Sequence, residues 1–422
     1  MKILVIGNGA REHALAWKIS QSKLATQIFV APGNAGTSLD PMLKNISIQS
    51  TNLRKLLSFA VSEEIDLVIV GPEAPLLLGI VDVFRKAGIK IFGPTQAAAV
   101  LEGSKVFSKS FLVRHGIPTA SYNDFTEVAP AVQYVREKGT PIVIKANGLA
   151  SGKGVIIADT LKDAELAIRS ILCEHIFGSA GNHIIVEEFL EGEEISFIVM
   201  VDGQNILPMA TSQDYKRVGD KNTGLNTGGM GAYSPVRSVT DEMHQRIMTE
   251  IICPTVRGMM LEGAPYTGFL YAGLMIDCYK QIKVIEFNCR LGDPESQPIM
   301  LRLKSDLVDL CLSAINRELD QKSIIWDPRP AVGLVLASGG YPEKYIKGYK
   351  INGLSLSEKL GCKVFHAGTA LRDGAIITDG GRVLCVAALG ENMSEAKNHV
   401  YQVASLISWK DKIFRTDIAD RV

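Results

Sequence analysis

The sequence lacks the features that would direct it to a membrane, to nucleic acid or to an oxidising compartment. Its seven cysteines are scattered over 422 residues without a Cys-x-x-Cys pair, a pattern typical of reduced thiols. No apolar run approaches the roughly 18 residues that span a bilayer, and Met1–Gly7 predicts a strand rather than a signal peptide. Lysine plus arginine equals aspartate plus glutamate at 45 each, so no overall charge favours nucleic acid. We expect a cytoplasmic protein, with a monomer favoured, that binds neither membrane nor nucleic acid.

The sequence also lacks the patterns of zinc sites and serine hydrolases. No Gly-x-Ser-x-Gly elbow is present, which disfavours the serine nucleophile of that fold. The seven histidines are far apart along the chain, unlike the closely spaced ligands of zinc sites: His13, His115, His175, His183, His244, His366 and His399.

Length and hydrophobic content favour a globular chain of several domains. Hydrophobic residues make up 46% and charged residues 21% of the chain, and 422 residues exceed one ordinary core. Short apolar strands such as Ile3–Ile6, Leu67–Val70 and Lys90–Phe92 alternate with helical segments in the first hundred residues. This alternation predicts a parallel, Rossmann-like α/β domain over residues 1–103.

The rest of the chain divides into two further predicted domains. Residues 104–325 contain a small unit over about 120–193, in which a glycine-rich loop joins strands Pro141–Ala146 and Val155–Ala158. The polar segment Thr211–Pro235 is too long for an ordinary loop, and such segments are usually functional or disordered. Trp326–Pro330 is predicted to be a linker to a mixed β/α closing domain over residues 326–422.

The first glycine turn, Gly7-Asn8-Gly9, ends a strand and begins a helix. Such turns direct backbone N–H groups at anions. Glu12 replaces the third glycine of the dinucleotide fingerprint. Binding of NAD, binding of another phosphate and a plain structural turn remain open interpretations.

The second glycine-rich segment, Gly148–Gly154, departs from the Walker pattern and lies between two strands. Its N–H groups and Lys153 could cover a triphosphate as a lid. Lys145 lies in the apolar strand just before it, where a lysine requires an anionic partner. The alternative is an exposed hairpin with Lys145 reaching solvent.

Two carboxylate groupings follow. Glu187 to Leu190, with Glu194 nearby, predicts either an adenosine clamp or a solvated acidic turn. Farther along, Glu286 and Asn288 alternate with apolar residues, so both face one side of a strand. Two hard oxygen ligands suit magnesium when phosphates complete the shell, although an ordinary two-faced strand has the same pattern.

The order of lysines, glycine-rich hairpin, carboxylate clamp and Glu-x-Asn pair resembles that of ATP-grasp ligases. Longer segments resemble the phosphoribosylamine–glycine ligase family in particular. The matching segments are Gly7–Leu15, Ala31–Gly36, Val70–Leu76, Leu101–Lys105, Asn226–Pro235, Asn288–Glu295, Gly339–Pro342 and Val364–Thr369.

The resemblance implies an ATP-grasp core with a small lid and an ATP-dependent ligation of glycine to phosphoribosylamine, with Mg²⁺ or Mn²⁺. Implied ATP contacts are Lys105, Lys145, Gly152, Lys153, Gly154, Glu187, Glu188, Leu190 and Glu194. Implied metal ligands are Glu286 and Asn288, and implied catalytic residues are Arg290, Lys145 and Asp214. Implied substrate contacts are Gly9, Arg11, Glu73, Asp214, Lys216, Arg217, Asn226, Gly229, Met230, Gly231, Arg290 and Asp293.

Three positions depart from the family's usual residues. Asn147 replaces Asp, Tyr215 replaces His, and Leu291 replaces Phe. These differences bear on the roles predicted for the lid and the substrate loop more than on those predicted for the nucleotide site. The competing hypotheses are another ATP-grasp enzyme, such as a carboxylase, and a non-catalytic NAD-binding protein that uses the first domain.

Overall fold

The structure is a computed structural model that describes residues 1–149, 154–356 and 360–420. The lid lysine Lys153 and its neighbour Gly152 lie outside the described residues. No helix in those three ranges is long and apolar enough to cross a membrane.

The N-terminal part is a five-stranded parallel sheet between helices. Its strands, in spatial order, are Leu43–Asn45, Gln27–Pro32, Lys2–Gly7, Leu67–Val70 and Lys90–Phe92. Its helices are Ala10–Ile19, Ala35–Leu39, Leu53–Ser62, Glu73–Leu77, Ile80–Lys86 and Gln96–Gly103. Both faces of the central strands are buried, which explains their uninterrupted apolar sequences. The predicted parallel α/β unit is confirmed.

A separate four-stranded sheet forms the small unit that the glycine-rich hairpin suggested. Its strands, in spatial order, are Tyr122–Phe125, Ile184–Glu188, Ile142–Ala146 and Val155–Ala158. Helices Val128–Lys138 and Leu161–Leu172 cover it and share its apolar core.

The central sheet carries the predicted metal-binding strand at its edge. Its antiparallel strands, in spatial order, are Ile206–Pro208, Glu193–Asp202, Thr267–Ile276 and Ile282–Asn288. The helices associated with this part of the chain are Lys105–Arg114, Asp241–Ile247, Cys253–Leu261, Ser296–Arg302 and Leu307–Asn316. A short π-helical turn, Met248–Ile252, joins two of these helices.

The C-terminal sheet contains strands from the segment that the sequence left irregular. In spatial order it consists of Gln213–Asp214, Gly231–Ser234, Ala331–Ser338, Arg382–Leu389 and Lys363–His366, with Lys412–Ile413 pairing Ala331–Ser338. Two hairpins pair Arg217–Gly219 with Thr223–Asn226 and Thr369–Arg372 with Ala375–Thr378. Helix Met393–Leu406 packs on the sheet. The segment 211–235 therefore consists largely of strands that pair with one another, and Gly231–Ser234 also pairs with the distant strand Ala331–Ser338.

Two histidines join the N-terminal and C-terminal parts. His13 Nδ1 accepts a hydrogen bond from the backbone N–H of His366 at 2.9 Å, and the two rings lie 5.7 Å apart. Burial lowers the pKa of His13 well below its usual value, and repulsion by His366, when that ring is charged, and by Lys363 lowers it further. Burial and Lys363 lower the pKa of His366 from 6.5 to about 4.

We expect the free energy of unfolding to fall as the pH drops from 6.5 to about 4. In this pH range the unfolded chain binds protons at these histidines while the folded chain keeps both rings neutral, so protonation favours the unfolded state. The shift of His366 from 6.5 to about 4 corresponds to about 3 kcal/mol at about 1.4 kcal/mol per pKa unit. Denaturant unfolding at several pH values should show a shallower dependence for His366→Asn than for the wild type. The exposed His175→Asn should keep the wild-type slope; equal slopes in all three proteins would contradict the assignment.

Candidate active site

One cavity of about 1010 Å³ lies between the small sheet, the central sheet and the C-terminal sheet. It brings together most of the residues that the sequence singled out. These are Arg11, Glu73, Lys105, Lys145, Gly154, Glu187, Glu188, Leu190, Glu194, Asp214, Lys216, Arg217, Asn226, Glu286, Asn288, Arg290 and Asp293. Gly9, Gly229, Met230 and Gly231 do not line it; Met230 is fully buried and Gly231 pairs with the C-terminal sheet.

One end of the cavity has an excess of positive charge. The buried carboxylate of Glu187 forms ion pairs with both Lys145 and Lys109. Burial opposes ionisation of Glu187, but the two lysines lower its pKa. Lys105, whose Nζ donates to the Gly148 carbonyl at 3.3 Å, is a third cation that lines the cavity here. The remaining charge suits a polyanion such as a triphosphate.

Lys105 begins a helix whose N-terminus is capped from the small sheet. Asn147 Oδ1 accepts hydrogen bonds from the Val106 N–H at 2.9 Å and from the Ser104 hydroxyl at 3.1 Å. The Lys105 N–H donates to the Asn147 carbonyl at 3.1 Å. Asparagine supplies the acceptor oxygen that an aspartate would supply, so this departure keeps the cap.

We expect Asn147→Ala to lower the free energy of unfolding by about 1 kcal/mol, because the Val106 N–H in the first turn loses its acceptor, although the N-cap Ser104 still accepts from the Phe107 N–H. Asn147→Asp should equal or exceed the wild type, since it keeps both bonds and adds negative charge at a helix N-terminus. Urea unfolding of both variants, with the exposed Asn123→Ala as control, measures the difference. The cap assignment fails if the aspartate variant is less stable than the alanine variant.

The predicted clamp residues differ in environment. Glu187 is buried among lysines, whereas Glu188 is exposed at the end of its strand, where it accepts from the Ser121 N–H at 3.1 Å and pairs with Lys283. Leu190 lies beyond the strand in the cavity wall. Apolar side chains line the wall around it and offer a slot for a flat ring: Leu112, Val143, Ile157, Ile185 and Met275.

The opposite end has an excess of carboxylates. Glu286 and Asn288 both line the cavity, as the alternation predicted. A register shift in the edge strand leaves Ile285 without a cross-strand partner, and its carbonyl accepts a hydrogen bond from Lys145 Nζ at 3.3 Å. Burial opposes ionisation of Glu286, yet Lys216, Lys145 and Lys105 hold its pKa at about 2. Glu286 therefore presents a charged oxygen to the cavity at neutral pH.

Lys216 joins the carboxylates at this end. It forms an ion pair with Glu194 and lies 3.8 Å from Glu286. Burial raises the pKa of Asp214 well above its usual value; Glu295 and Glu194 add to this rise and Lys216 opposes it. With Glu286, three carboxyl groups surround this lysine, so an added cation would be stabilised here.

Arg290 is held between two carboxylates from the N-terminal part. Its Nε lies 3.1 Å from Glu73 Oε2, and its Nη2 lies 3.0 Å from Glu102 Oε1. Glu102 Oε2 also accepts from the Cys289 N–H at 2.7 Å, which fixes the turn after the metal strand. Three of the five guanidinium N–H groups are used by Glu73, Glu102 and the Leu291 carbonyl, which leaves two donors for a ligand.

Glu12 fills the first glycine turn. Its Oε2 accepts the Gly9 N–H at 2.6 Å, and its Oε1 accepts from Arg11 Nε at 2.6 Å. A carboxylate in the turn disfavours the approach of a dinucleotide pyrophosphate. The predicted anion-facing N–H of Gly9 is thus directed to Glu12, and Arg11, held against the Leu291 carbonyl at 3.1 Å, is the group that reaches the cavity.

Several residues of the site were missed by the sequence reasoning. Lys109 follows Lys105 by one helical turn, and that spacing could have revealed it. Glu102 and Glu295 lie inside the segments that carried the resemblance. Arg382 reaches the cavity from the C-terminal sheet, and no local pattern marks it.

The structure also shows the surroundings of Tyr215 and Leu291, the other two residues that differ from the family's usual ones. The Tyr215 hydroxyl accepts a hydrogen bond from the Ala419 N–H at 2.9 Å, and its ring lies 4.8 Å from the Arg415 guanidinium. Tyr215 therefore ties the substrate segment to the C-terminal part, a contact that needs a phenol-sized side chain. Leu291 is 1% exposed in an apolar cluster, so its difference from Phe is one of packing.

Family models of phosphoribosylglycinamide synthetase match nearly the whole chain. The N domain matches residues 1–102, the ATP-grasp domain residues 103–296 and the C domain residues 331–421. The chain is 63% identical over 422 residues to phosphoribosylamine–glycine ligase of Escherichia coli K12 and 62% identical over 421 residues to that of Vibrio parahaemolyticus. Each alignment covers 100% of this chain and 98% of the relative.

Solved structures give the same result for the fold. The crystal structure of phosphoribosylamine–glycine ligase from Thermotoga maritima has a TM-score of 0.87 at 32% identity, covering 99% of this chain and 100% of that one. A biotin carboxylase from Campylobacter jejuni has a TM-score of 0.76 at 14% identity, covering 100% of this chain and 98% of that one, which shows a shared fold alone. The expected multidomain α/β architecture is confirmed, and the chain belongs to the phosphoribosylamine–glycine ligase family of ATP-grasp ligases.

Proposed function

We propose that this ligase joins glycine to 5-phosphoribosylamine, with conversion of ATP to ADP and phosphate, as a step of purine biosynthesis. ATP phosphorylates the glycine carboxylate to give glycyl phosphate. The amine of phosphoribosylamine then attacks the acyl carbon and phosphate leaves. A free carboxylate is a poor acyl donor, so phosphorylation supplies the leaving group that amide formation requires.

The observation that carries this proposal is the opposite charge of the two ends of one cavity. Lys109 and Lys145 share the carboxylate of Glu187 at one end, and Lys105 also lines the cavity. At the other end, the carboxyl groups of Glu194, Asp214 and Glu286 surround Lys216. The first end suits the triphosphate, and the second suits the ammonium group of glycine and a divalent cation.

The nucleotide is assigned to the cationic end and its apolar slot. Lys105 and Lys145 bind the phosphates, together with Gly152, Lys153 and Gly154 of the hairpin. Backbone groups near Glu188 and Leu190 pair with adenine, and Glu194 accepts from the ribose. Glu187 acts mainly through its two ion pairs, which hold Lys145 and Lys109 in place for the phosphates.

Glu286 and Asn288 fit a magnesium ion, because an ionised carboxylate and an amide face the same cavity. Bound there, Mg²⁺ would neutralise phosphate charge, and Mn²⁺ has the same ligand preferences and should be accepted.

The chain's own residues orient the reacting groups. Arg290, fixed by Glu73 and Glu102, directs its two remaining donors into the cavity, where they can stabilise the oxygens of glycyl phosphate. Asp214 and Lys216 face the glycine end. Arg217, Asn226 and Asp293 line the cavity beside them, and Arg11 supplies positive charge for the sugar phosphate. Four residues that do not line the cavity support this wall from behind: Gly9, Gly229, Met230 and Gly231.

We propose that the enzyme has three domains and a lid. The domains are residues 1–103, 104–325 and 326–422, and the lid is the unit at about 120–193. The small sheet and its hairpin would close over ATP. A cytoplasmic monomer acting on these small molecules remains our expectation.

The test measures ADP and phosphate released by the purified protein. Release should require ATP, Mg²⁺, glycine and phosphoribosylamine together, and Mn²⁺ should replace Mg²⁺. Release with bicarbonate in place of glycine would favour a carboxylase, the activity of the more distant structural neighbours. Tight NADH binding without any effect of ATP would overturn the ligase assignment.

A further inference from the structure

Both backbone polar groups of Gly228 are bound by side chains from the C-terminal part of the chain. The Gly228 carbonyl accepts a hydrogen bond from Arg382 Nη1 at 2.5 Å, and its N–H donates to the Tyr341 hydroxyl at 3.0 Å. Gly228 lies in the substrate loop, defined here as Asn226–Gly229, and it lines the cavity together with Arg382. A side chain at Gly228 would meet the Arg382 guanidinium at 3.0 Å, so loop and arginine are in close contact.

The same guanidinium also holds the segment that follows the metal strand. Arg382 Nη1 donates to the Asp293 carbonyl at 2.5 Å, and Nη2 lies 3.4 Å from Asp293 Oδ2. Gly229 packs against Pro294 in the left-handed region, with φ of +110°, so a side chain there would be both strained and obstructed. One arginine thus joins two chain segments more than 60 residues apart that form a single wall.

The substrate loop is also hydrogen-bonded to the backbone of Lys216, at the acidic end of the cavity. Thr227 donates from its N–H and its hydroxyl to the Lys216 carbonyl at 2.7 and 2.8 Å. The Gly229 N–H donates to the Thr227 hydroxyl at 3.0 Å. A displacement of Gly228 therefore displaces the backbone of Lys216, whose side chain pairs with Glu194.

The orientation of Arg382 is set by its own sheet. It is the first residue of strand Arg382–Leu389, which is paired on both sides. The neighbouring Gly381 leaves room for the Tyr341 ring, since a side chain at Gly381 would lie 2.3 Å from a ring carbon. Arg382 and Tyr341 therefore form one unit, held by the C-terminal sheet and directed at the substrate loop.

We propose that Arg382, supported by Tyr341, is a positioning residue that holds the substrate loop against Asp293 and so shapes the part of the cavity that receives phosphoribosylamine. This inference rests on the proposed function. Arg382 hydrogen-bonds the backbone of Gly228 and Asp293 directly and reaches the nucleotide residues only through Lys216 and Glu194, so its largest effect falls on the acceptor part of the cavity. The C-terminal part then contributes to acceptor binding, through the backbone that it orients.

The test is steady-state kinetics of the full chain with phosphoribosylamine generated in the assay, each substrate being varied in turn. Arg382→Ala should raise the KM for phosphoribosylamine by about tenfold to a hundredfold, the effect of losing a charged hydrogen-bond donor. The KM for ATP should change by less than about threefold, because Arg382 affects the ribose-binding Glu194 only through Lys216. Tyr341→Phe, which removes only a hydroxyl, should raise the KM for phosphoribosylamine by about threefold to tenfold.

Two further measurements separate positioning from general stability. Added guanidinium ions should restore part of the lost affinity in Arg382→Ala, and Arg382→Lys should remain impaired because an ammonium cannot reproduce the planar donor pair. Arg372→Ala, which changes an exposed arginine in the nearby hairpin, should behave as the wild type. Melting temperatures are recorded for each protein.

The outcomes distinguish the two proposals. Equal changes in the KM of all three substrates, or unchanged kinetics with only a lower melting temperature, would overturn the role of Arg382 while the ligase activity of the wild type stands. A wild type that releases no phosphate with glycine and phosphoribosylamine would overturn the proposed function itself.

Discussion

Glu286→Gln is expected to lower turnover by about a thousandfold or more. The substitution keeps the shape of the side chain and removes the charged oxygen that we assign to magnesium. Loss of a metal contact at a transferring phosphoryl group is worth several kcal/mol, and each 1.4 kcal/mol is about a factor of ten in rate. Initial rates of ADP formation at saturating substrates measure the effect.

A binding measurement gives this prediction a second readout. ATP with Mg²⁺ should raise the melting temperature of the wild type, whereas Glu286→Gln should gain no more from ATP with Mg²⁺ than from ATP alone. Glu343→Gln, which removes an exposed carboxylate outside the cavity, should match the wild type in both assays.

Substantial activity of Glu286→Gln in saturating magnesium would show that another residue holds the metal. A loss of activity accompanied by an unfolded protein would be recognised from the melting curve. Removal of this carboxylate also leaves Lys216 and Lys145 with less compensating charge, so a modest change in melting temperature is compatible with the assignment.

The strand that carries Glu286 and Asn288 shows how much of a site a local sequence pattern can predict. Alternation of apolar and oxygen-bearing residues placed Glu286 and Asn288 on one face, and both side chains do line the cavity. The register shift beside Ile285 was not predictable, because it depends on the partner strand Thr267–Ile276. That shift makes the Ile285 carbonyl available to Lys145, a contact between two sheets.

The internal ion-pair partner of the lysines could not be predicted from the sequence for a related reason. The sequence predicts an anionic partner for Lys145 and favours a nucleotide phosphate in that role. The structure provides an internal partner, Glu187, which also pairs with Lys109. A strand residue and a helix residue meet there only after folding, so sequence spacing could not indicate the pair.

The substrate segment was the least predictable part of the site. Its glycines and polar residues have no periodicity, yet Gly231–Ser234 is a fully buried strand. Its partner, Ala331–Ser338, lies about a hundred residues later in the sequence. Long-range pairing of this kind is fixed by tertiary contacts rather than by local propensity.

Arg290→Ala should lower turnover by about a hundredfold to a thousandfold, the usual cost of removing a donor that stabilises transition-state charge. The variant should also lose stability. Glu102 is buried, and without Arg290 its carboxylate would have no guanidinium partner, a situation that costs about 3–5 kcal/mol in proteins. Activity and stability therefore have to be separated.

A second substitution in the same pair achieves this separation. In the double variant Arg290→Ala/Glu102→Gln neither partner is charged, and the glutamine oxygen can still accept the Cys289 N–H. The free energy of unfolding should recover part of its loss, because Glu102 no longer buries an unpaired charge, while Glu73 loses Arg290 but keeps the nearby cation of Arg11. Turnover should stay at the level of Arg290→Ala, since the two donors that Arg290 directs into the cavity are still missing. Recovery of turnover together with stability would show that Arg290 acts only as a structural partner of Glu102 and has no part in stabilising the transferring phosphoryl group.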